Sequence, residues 1–392
     1  METLMMNVGS ATHLATARLL VADDQPHILT ALELLLHGEG YQTNCAVNPD
    51  KVLEALRGEQ FDVVLMDLNY TRDTTGGAEG LELVSQIRLI DQNIPLVVMT
   101  AWGNVDLAVE AMRRGASDFV QKPWNNHQLL GRVREQVERG RGLRSSQRRI
   151  EEESQEARTI QKNLLPSSIP QIAGYDISAI TQPMHFVGGD YYNVEKINET
   201  LTAFCIADVA GKGLPGALLM SNLQASLKPL IRAEIEPQEL CNRLNRILCE
   251  IMPENKFISF FYGVLDSQNN RFTYCNAGHN PPIVLRSDGN TSELDSSGAI
   301  LGKFPHWEYV PMSLGLCSGD TLLLFTDGVV EACDSQNEPF GEQRLMQAGQ
   351  NFSDIKAAEI QIALLNAVSN HCGRQFQDDA TMIVLKVNAK SL

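Results

Sequence analysis

The chain has 392 residues, of which 43% are hydrophobic and 20% charged. This length and composition are typical of a globular protein with two or three domains, and they exclude a disordered or fibrous chain. The 32 basic and 48 acidic side chains give a net charge of −16, which disfavours nonspecific nucleic-acid binding. The eight cysteines form no C-x-x-C pair, and no apolar run reaches about 18 residues, so we expect a reduced, cytoplasmic protein without a transmembrane helix.

The first 125 residues predict a leader and one domain. Residues 1–16 have neither the basic start nor the long apolar stretch of a secretory signal, and we expect a disordered leader. From residue 17 to 125, apolar runs alternate with amphipathic stretches, which predicts a parallel, doubly wound α/β sheet with helices on both faces. The runs are Leu19–Ala22, Val63–Met66, Leu96–Thr100 and Asp118–Gln121, and the amphipathic stretches are Ile28–His37, Pro49–Arg57, Leu81–Leu89 and Val105–Arg114.

Polar residues stand at the ends of these predicted strands. They are Asp23, Asp24, Asp67, Thr100 and Lys122. Because the carboxyl ends of strands converge in a doubly wound sheet, we expect these side chains to meet. Three carboxylates together repel one another unless a cation such as Mg²⁺ lies among them. A lysine and a hydroxyl beside them would bind the oxygens of an aspartyl phosphate.

Residues 17–125 resemble the receiver domain of two-component response regulators. The resemblance implies a five-stranded sheet, phosphorylation of Asp67 by a histidine kinase, and Mg²⁺ held with the help of Asp23 and Asp24. The switch residues that it implies are Thr100, Phe119 and Lys122, the last followed by the cis-proline of the family, Pro123. The segment Asn69–Gly80 is longer than the usual loop of the family, which leaves open a change in partner docking or phosphate lifetime.

Residues 126–165 predict a helical linker, because they are polar and contain no strand-like run. An a/d heptad seam can be traced along them, and only about half of its positions are apolar. Its positions are Leu129, Val133, Gln136, Gly140, Leu143, Gln147, Ile150, Ser154, Ala157, Gln161 and Leu164. Two interpretations stay open: a solvated helix with opposite charge blocks, or a signalling helix that self-associates weakly into a homodimer.

Residues 166–392 change to short β-rich runs and three helical blocks. The runs are Asp176–Thr181, Leu201–Asp208, Ser259–Asp266, Arg271–Ala277, Pro282–Arg286, Asp320–Thr326 and Thr381–Val387, and the helical blocks are Pro215–Ile231, Pro237–Ile251 and Asp354–Asn370. Hairpin-like pairs with Gly, Asn and Asp turns predict antiparallel sheets covered by helices, an α+β domain.

Four aspartates lie at strand boundaries of this last domain. They are Asp190, Asp208, Asp327 and Asp378, most of them beside glycines that permit a close approach of the backbone. Sites built from carboxylates favour hard divalent ions such as Mg²⁺ and Mn²⁺. Two such ions can activate water and neutralise a phosphoryl group.

The motifs "IQKNLLPSSIP", "VGGDYY", "DVAGKG", "NAGHNPP", "FTDGVVEA" and "DDATMIVL" resemble those of metal-dependent protein phosphatases, the PPM superfamily, in its stage II sporulation E branch. The resemblance implies a β-sandwich flanked by helices and hydrolysis of phosphoserine or phosphothreonine on proteins, commonly on antagonists of anti-sigma factors. It implies two Mn²⁺ or Mg²⁺ ions, and the ligands that it implies are Asp190, Asp208, Asp327, Asp378 and the carbonyl of Val209.

Four further residues of this domain need an interpretation. Asn193 stands where the family usually has a second aspartate, so we expect weaker metal affinity. His279 is a turn or core histidine or, alternatively, a phosphate contact. Lys212 approaches substrate phosphate or is simply solvated. Asp379 follows Asp378 directly, and we expect its side chain on the opposite face because strand neighbours alternate.

These features together predict a response regulator whose output is a metal-dependent protein serine/threonine phosphatase. Its partners would be a histidine kinase, a phosphorylated regulatory protein and a second copy of the chain. We expect it to bind neither DNA nor a membrane. One alternative is a phosphatase-like adaptor that only binds a sigma factor or its regulator; loss of the ligand aspartates would mark it, and they are present. Another is a DNA-binding regulator, but no helix-turn-helix pattern follows the linker.

Overall fold

The computed structural model of the chain describes residues 16–70, 77–101, 105–295, 298–350 and 355–388. The chain divides into two compact units, Met1–Glu151 and Glu152–Leu392. The predicted leader lies outside the described residues except for Thr16, and so do residues 71–76 of the long segment Asn69–Gly80.

The first unit is built on a five-stranded parallel sheet with the strand order β2-β1-β3-β4-β5. Its strands are β1 (Arg18–Ala22), β2 (Gln42–Ala46), β3 (Val63–Asp67), β4 (Leu96–Thr100) and β5 (Asp118–Gln121). The central strands β3 and β4 are buried along their whole length, as expected for a sheet that is covered on both faces. The predicted doubly wound parallel sheet is confirmed.

Five helices cover the two faces of this sheet. They are α1 (Pro26–Gly38), α2 (Pro49–Gly58), α3 (Ala78–Ile90), α4 (Val105–Arg113) and α5 (Asn126–Leu164). Alternate residues of each strand point to opposite faces, and each face has its own hydrophobic core. Helices α2, α3 and α4 pack in one of these cores, and α1 and the beginning of α5 pack in the other.

The beginning of α5 is part of the first unit. Leu129 and Val133 are fully buried against the strands, and a Cβ atom on Gly140 would lie 2.8 Å from the Pro95 ring. The seam positions from residue 129 to 140 therefore face the sheet of their own unit, and for them the prediction of a seam between two copies is wrong. Of the later seam positions, Gln161 bonds to Gly188 and Leu164 packs against a core of the second unit. The predicted domain boundaries, and a seam from Leu143 to Ala157, stay predictions.

The second unit is a sandwich of two antiparallel five-stranded sheets, with the strand orders β13-β10-β9-β8-β7 and β12-β11-β14-β15-β6. The strands are β6 (Tyr175–Gln182), β7 (Tyr191–Lys196), β8 (Leu201–Val209), β9 (Ile258–Asp266), β10 (Arg271–Ala277), β11 (Ile283–Leu285), β12 (Thr291–Glu293), β13 (Met312–Gly315), β14 (Thr321–Phe325) and β15 (Ala380–Val387). Aromatic rings such as Phe204 and Phe272, packed edge-to-face at 5.7 Å, join the core between the sheets.

Helices cover the outer faces of this sandwich. They are α6 (Gly213–Leu227), α7 (Pro237–Ile251), α8 (Asp327–Val330), α9 (Gly341–Gly349) and α10 (Ala357–His371). Helices α6 and α7 pack on the first sheet, and α8, α9 and α10 pack on the second. The predicted β-sandwich flanked by helices is confirmed. None of the helices in the described part of the chain is long and apolar enough to cross a membrane.

Candidate phosphoacceptor and active sites

Three carboxylates and a lysine meet at the carboxyl edge of the parallel sheet. Asp23 and Asp24 follow β1, Asp67 ends β3, and Lys122 follows β5. One carboxylate oxygen from each aspartate lies within 4.8 Å of the others. The Nζ atom of Lys122 lies 2.6 Å from Asp23 Oδ2 and 2.7 Å from Asp67 Oδ2. The structure thus brings together the charged residues that the sequence places at separate strand ends.

Asp67 is a buried carboxylate whose charge is partly balanced. Burial raises its pKa, while the hydrogen bond and the positive charge of Lys122 oppose that rise and Asp23 adds to it. The backbone N–H of Leu68 donates to Asp67 Oδ1 over 2.8 Å. A divalent cation among the three carboxylates would supply the remaining positive charge.

The other predicted switch residues lie on the neighbouring strands. Thr100 ends β4 and is buried, whereas Phe119 on β5 is 36% exposed. The guanidinium of Arg132 on α5 lies 5.7 Å from the centre of the Phe119 ring, within the range of a cation–π interaction. The bond between Lys122 and Pro123 is cis, as the resemblance implies.

The four predicted ligand aspartates of the second unit stand at ends of strands from both sheets. Asp190 precedes β7, Asp208 lies at the end of β8, Asp327 follows β14, and Asp378 stands two residues before β15. Burial, followed by the charges of Asp327 and Asp378, raises the pKa of Asp208 to about 7. Burial and the charge of Asp208 raise the pKa of Asp190 well above its usual range.

The pKa of Asp327 is raised in the same way. Burial is the largest cause, the charges of Glu331 and Asp378 add to it, and the pKa reaches about 6. The four carboxylates are therefore close enough to repel one another. Among the described residues, only the aspartates of the first unit bring three ligand oxygens within 4.8 Å, so this second cluster is the more open one.

One carboxylate oxygen of Asp190 accepts a hydrogen bond, and the other has no hydrogen-bond partner among the described residues. Its side chain is 5% exposed, and the hydroxyl of Thr326 donates to its Oδ2 over 2.8 Å. The hydroxyl of Thr326 in turn accepts from the N–H of Thr381 over 3.0 Å. Asp190 Oδ1 has no hydrogen-bond partner among the described residues. A buried carboxylate oxygen without a partner is costly unless a cation binds it.

Asp379 holds the loop that carries Asp190. Its carboxylate accepts from the N–H of Gly189 and from the N–H of Met184, each over 2.7 Å. A Cβ atom on Gly188 would lie 2.3 Å from Asp379 Oδ2, so this close approach requires glycine. Asp378 instead pairs with Lys212. The two adjacent aspartates thus have different partners, although both precede β15 and strand alternation does not apply to them.

Gln161, near the end of α5, holds the same loop through its carboxamide. Gln161 Nε2 donates to the carbonyl of Gly188 over 2.7 Å, and Gln161 Oε1 accepts from the N–H of Gly188 over 3.0 Å. From the sequence, Gln161 is only a polar position of the heptad seam. Its place in the motif "IQKNLLPSSIP" is the signal that could have indicated a further role.

The remaining predicted residues lie around this cluster. A Cβ atom added to Gly189 would lie 2.9 Å from the carbonyl oxygen of Val209, so this oxygen faces the loop that carries Asp190. Lys212 Nζ lies 2.7 Å from Asp378 Oδ2 and donates to a backbone carbonyl over 2.8 Å. Lys212 is therefore neither a free lysine nor one that points away from the aspartates.

Asn193 and His279 have side-chain partners other than the four aspartates. The side-chain amide of Asn193 donates to Glu195 over 3.1 Å. His279 is buried, with its Nδ1 at 2.9 Å from the hydroxyl of Ser259, and burial lowers its pKa to about 4. The Ser259 hydroxyl also lies 3.5 Å from the carbonyl of Asp208, and His279 Nε2 is buried without a partner among the described residues, so both interpretations of His279 stay open.

Comparison with known proteins assigns both units. Residues 19–134 match the response regulator receiver domain, and residues 198–388 match Stage II sporulation protein E (SpoIIE). Phosphoserine phosphatase RsbU of Bacillus subtilis (strain 168) is 32% identical over 245 residues, which cover 62% of this chain and 72% of RsbU. The chain belongs to the SpoIIE family of serine/threonine phosphatases and carries a receiver domain.

Two further relatives match the receiver and the phosphatase domains separately. Sporulation initiation phosphotransferase F of B. subtilis (strain 168) is 32% identical over 117 residues, which cover 30% of this chain and 90% of that protein. The SiaA-PP2C domain of Pseudomonas aeruginosa superposes with a TM-score of 0.56 at 19% identity, and the match covers 62% of this chain and 98% of that domain. At this identity the structural likeness supports the fold alone.

The phosphatase domain offers a donor set that fits divalent metal ions. The donors are carboxylate oxygens and one backbone carbonyl, which hard ions prefer. Asp190 Oδ1 is buried without a partner among the described residues, and burial together with repulsion from neighbouring carboxylates raises the pKa of Asp208 and Asp327. Bound cations would remove both penalties.

Proposed function

We propose that this phosphatase hydrolyses phosphoserine or phosphothreonine on a regulatory protein with two Mn²⁺ or Mg²⁺ ions, and that phosphorylation of Asp67 controls its rate. The observation that carries the proposal is the cluster of Asp190, Asp208, Asp327 and Asp378, with its unpartnered buried oxygen and raised pKa values.

The proposed reaction is a direct hydrolysis. A water oxygen forms a bond to phosphorus as the bond from phosphorus to the serine or threonine oxygen breaks, which yields the free hydroxyl and inorganic phosphate. The four aspartates and the Val209 carbonyl would hold the ions, which would supply positive charge at the phosphoryl group and activate water. Thr326 orients Asp190 through its hydroxyl, and Asp379 fixes the loop before Asp190.

The proposed input is a phosphoryl group from a histidine kinase, accepted by Asp67 beside a bound Mg²⁺. Lys122 already bonds to Asp67, and a lysine in that position stabilises the oxygens of an aspartyl phosphate. Thr100 and Phe119 would then respond to the phosphoryl group.

The proposed link between the domains is helix α5. Its first turns belong to the receiver core, and Gln161 near its end bonds to Gly188, two residues before Asp190. A shift of this helix would therefore act directly on the loop of a ligand aspartate. The seam from Leu143 to Ala157 would join two copies into a homodimer, and its exposed Leu143 and Ile150 support this role.

The proposed substrate is an antagonist of an anti-sigma factor, in the cytoplasm. The substrate class is what the stage II sporulation E resemblance implies. RsbU, which is named a phosphoserine phosphatase and matches 62% of the chain, supports hydrolysis of phosphoserine, and the eight free cysteines support a reducing compartment.

Hydrolysis of a phosphoserine protein tests this proposal. The full chain is assayed with Mn²⁺, with Mg²⁺ and with chelator, each with and without beryllofluoride as a mimic of the phosphoryl group. We expect metal-dependent release of phosphate and a rate that changes with beryllofluoride. Release that persists in chelator would contradict the two-metal reaction. Binding of a phosphoprotein without any release would favour the adaptor.

A further inference from the structure

A groove beside Asp190 plays no part in the reaction as proposed. Its volume is about 920 Å³, and it is lined by the last turns of α5, by strand β6 and by the loop that carries Asp190. This volume is in the range of roughly 300–1,000 Å³ that is usual for ligand sites. Among the residues that line it are Gln155, Arg158, Lys162, Ile180, Phe186 and Asp190.

The helical wall of the groove is positively charged. Arg158 and Lys162 are four residues apart on α5 and therefore lie on the same face of the helix. Both side chains are exposed, and neither forms an ion pair with any residue in the described part of the chain. Lys212, near the same aspartates, is different because Asp378 already neutralises it. Arg158 and Lys162 are thus two basic groups in the groove that are available to a partner.

The opposite wall is apolar and includes a sheet edge. Phe186 is 48% exposed and Ile180 is 39% exposed, and both side chains line the groove. Strand β6 pairs with β15 on one side and is the last strand of its sheet in the described structure. An extended peptide could therefore lie along this wall, where an edge strand and exposed apolar side chains are available.

We infer that this groove binds the substrate segment next to the phosphorylated residue, and that this segment carries acidic side chains. The inference rests on the proposed phosphatase reaction, because it places the phosphoryl group at the Asp190 end. Acidic side chains of the segment then contact Arg158 and Lys162, and an apolar side chain contacts Phe186. The positive charge along α5 also offsets the repulsion that an acidic domain exerts on an acidic substrate.

Two phosphoserine peptides that differ only in the charge of the flanking residues test this inference. One has glutamates beside the phosphoserine, and the other has lysines at the same positions. With Mn²⁺ we expect the full chain to favour the glutamate peptide by at least about tenfold in kcat/KM, mainly through KM, because flanking contacts are equal in the ground and transition states. The preference should shrink as salt is added.

The double variant Arg158→Glu and Lys162→Glu should reverse this preference, and Arg158→Gln with Lys162→Gln should reduce it toward unity. The control is Arg232→Glu with Arg246→Glu, two exposed arginines outside the groove, and it should keep the wild-type ratio. Equal hydrolysis of both peptides by the wild type, or an unchanged ratio in the Arg158 and Lys162 variants, would overturn the inference and leave the phosphatase reaction standing. Hydrolysis of neither peptide would overturn both.

Discussion

The two acidic clusters of this chain balance their charge in different ways. In the receiver domain, Lys122 lies within 2.7 Å of two of three carboxylates and is itself only 18% exposed. In the phosphatase domain, no lysine or arginine of the described residues pairs with Asp190, Asp208 or Asp327. Lys212 reaches only Asp378, at a site where the lysine is 54% exposed and the aspartate 38% exposed.

This difference explains what each cluster is ready to bind. A cluster that contains its own cation needs one further divalent ion, and it leaves Asp67 close to a positive charge that can hold a phosphoryl group. A cluster whose lysine reaches only the half-exposed Asp378 has carboxylates with pKa values raised to about 6 and about 7. It needs more positive charge from outside, which two divalent ions would supply.

The largest expected effect is on catalysis. Asp208→Asn should lower metal-dependent phosphatase activity by at least about 100-fold, because a charge that would hold the ions is lost. The same variant should be more stable than wild type in chelator at about pH 8, because it also removes a repelled buried carboxylate. Glu234→Gln, at an exposed turn of the same domain, is the control and should change neither quantity. Loss of stability together with activity would show that Asp208 is structural.

The next effect concerns the phosphoacceptor. Asp67→Asn should incorporate no phosphate from acetyl phosphate, and its phosphatase rate should not respond to beryllofluoride, because of the described aspartates only Asp67 ends a strand beside Lys122 and Thr100. Asp50→Asn, on the exposed first turn of α2, should retain both responses. Undiminished labelling of Asp67→Asn would place the acceptor elsewhere.

A matched pair of lysine variants compares the two clusters directly. Lys122→Met should destabilise the metal-free protein by about 3 kcal/mol, because it leaves Asp23 and Asp67 buried without their partner. Lys212→Met should cost less than about 1 kcal/mol, because an exposed ion pair contributes little. Urea unfolding in chelator measures both. Equal costs would mean that the two clusters do not differ in the way described.

A smaller effect is expected when the stability of the metal-free protein is measured as a function of pH. Asp208 and Asp327 have folded pKa values of about 7 and about 6, above the unfolded value of about 3.9. Their contribution to stability is thus present in acid and lost as the pH rises toward 7. His279 acts in the opposite sense, because its lowered pKa destabilises the fold below about pH 6.5.

The rise in Tm caused by Mn²⁺, measured against the metal-free protein at each pH, separates ion binding from the pH dependence of the metal-free fold. We expect this rise to grow between about pH 5 and about pH 8, as protons cease to compete with the ion. An increment that is constant over this interval would show that these carboxylates are already ionised in the metal-free protein.

The smallest expected effect is on communication between the clusters. Replacing Gln147 and Ser154 with Leu adds apolar surface to the predicted seam of α5. These substitutions should strengthen a dimer and weaken the dependence of phosphatase rate on Asp67. Analytical ultracentrifugation and turnover, each with and without beryllofluoride, measure the two changes. A monomer in every state with intact regulation would show that this part of α5 is a passive spacer.

Most of the fold follows from the sequence because buried strands have long apolar runs. Strands β3, β4 and β14 are buried at every residue, and each coincides with a predicted run. The edge strands β2 and β12 were not predicted, because their side chains are polar and largely exposed. An edge strand has one neighbour and little hydrophobic pattern to reveal it.

At the candidate phosphatase site, too, some features can be predicted from the sequence and others cannot. The four candidate ligand aspartates can be picked out from the sequence, because each lies in a short motif at a strand boundary, and their role as ligands stays a prediction. The contacts that support them cannot be picked out, because they join distant parts of the chain: Asp379 bonds to Gly189 across 190 residues, and Thr326 bonds to Asp190 across 136. A heptad pattern likewise cannot tell whether Leu129 faces a second copy or its own sheet.

The position of α5 in the receiver core has a consequence for anyone who expresses the domains separately. A fragment that ends at residue 125 would lack Leu129, Val133 and Val137, and would expose the apolar face of the strands that they cover. Such a fragment is expected to aggregate. A fragment that continues to Glu151 keeps this cover, and it also keeps Arg144, whose guanidinium bonds to Asp62 and to the carbonyl of Phe61.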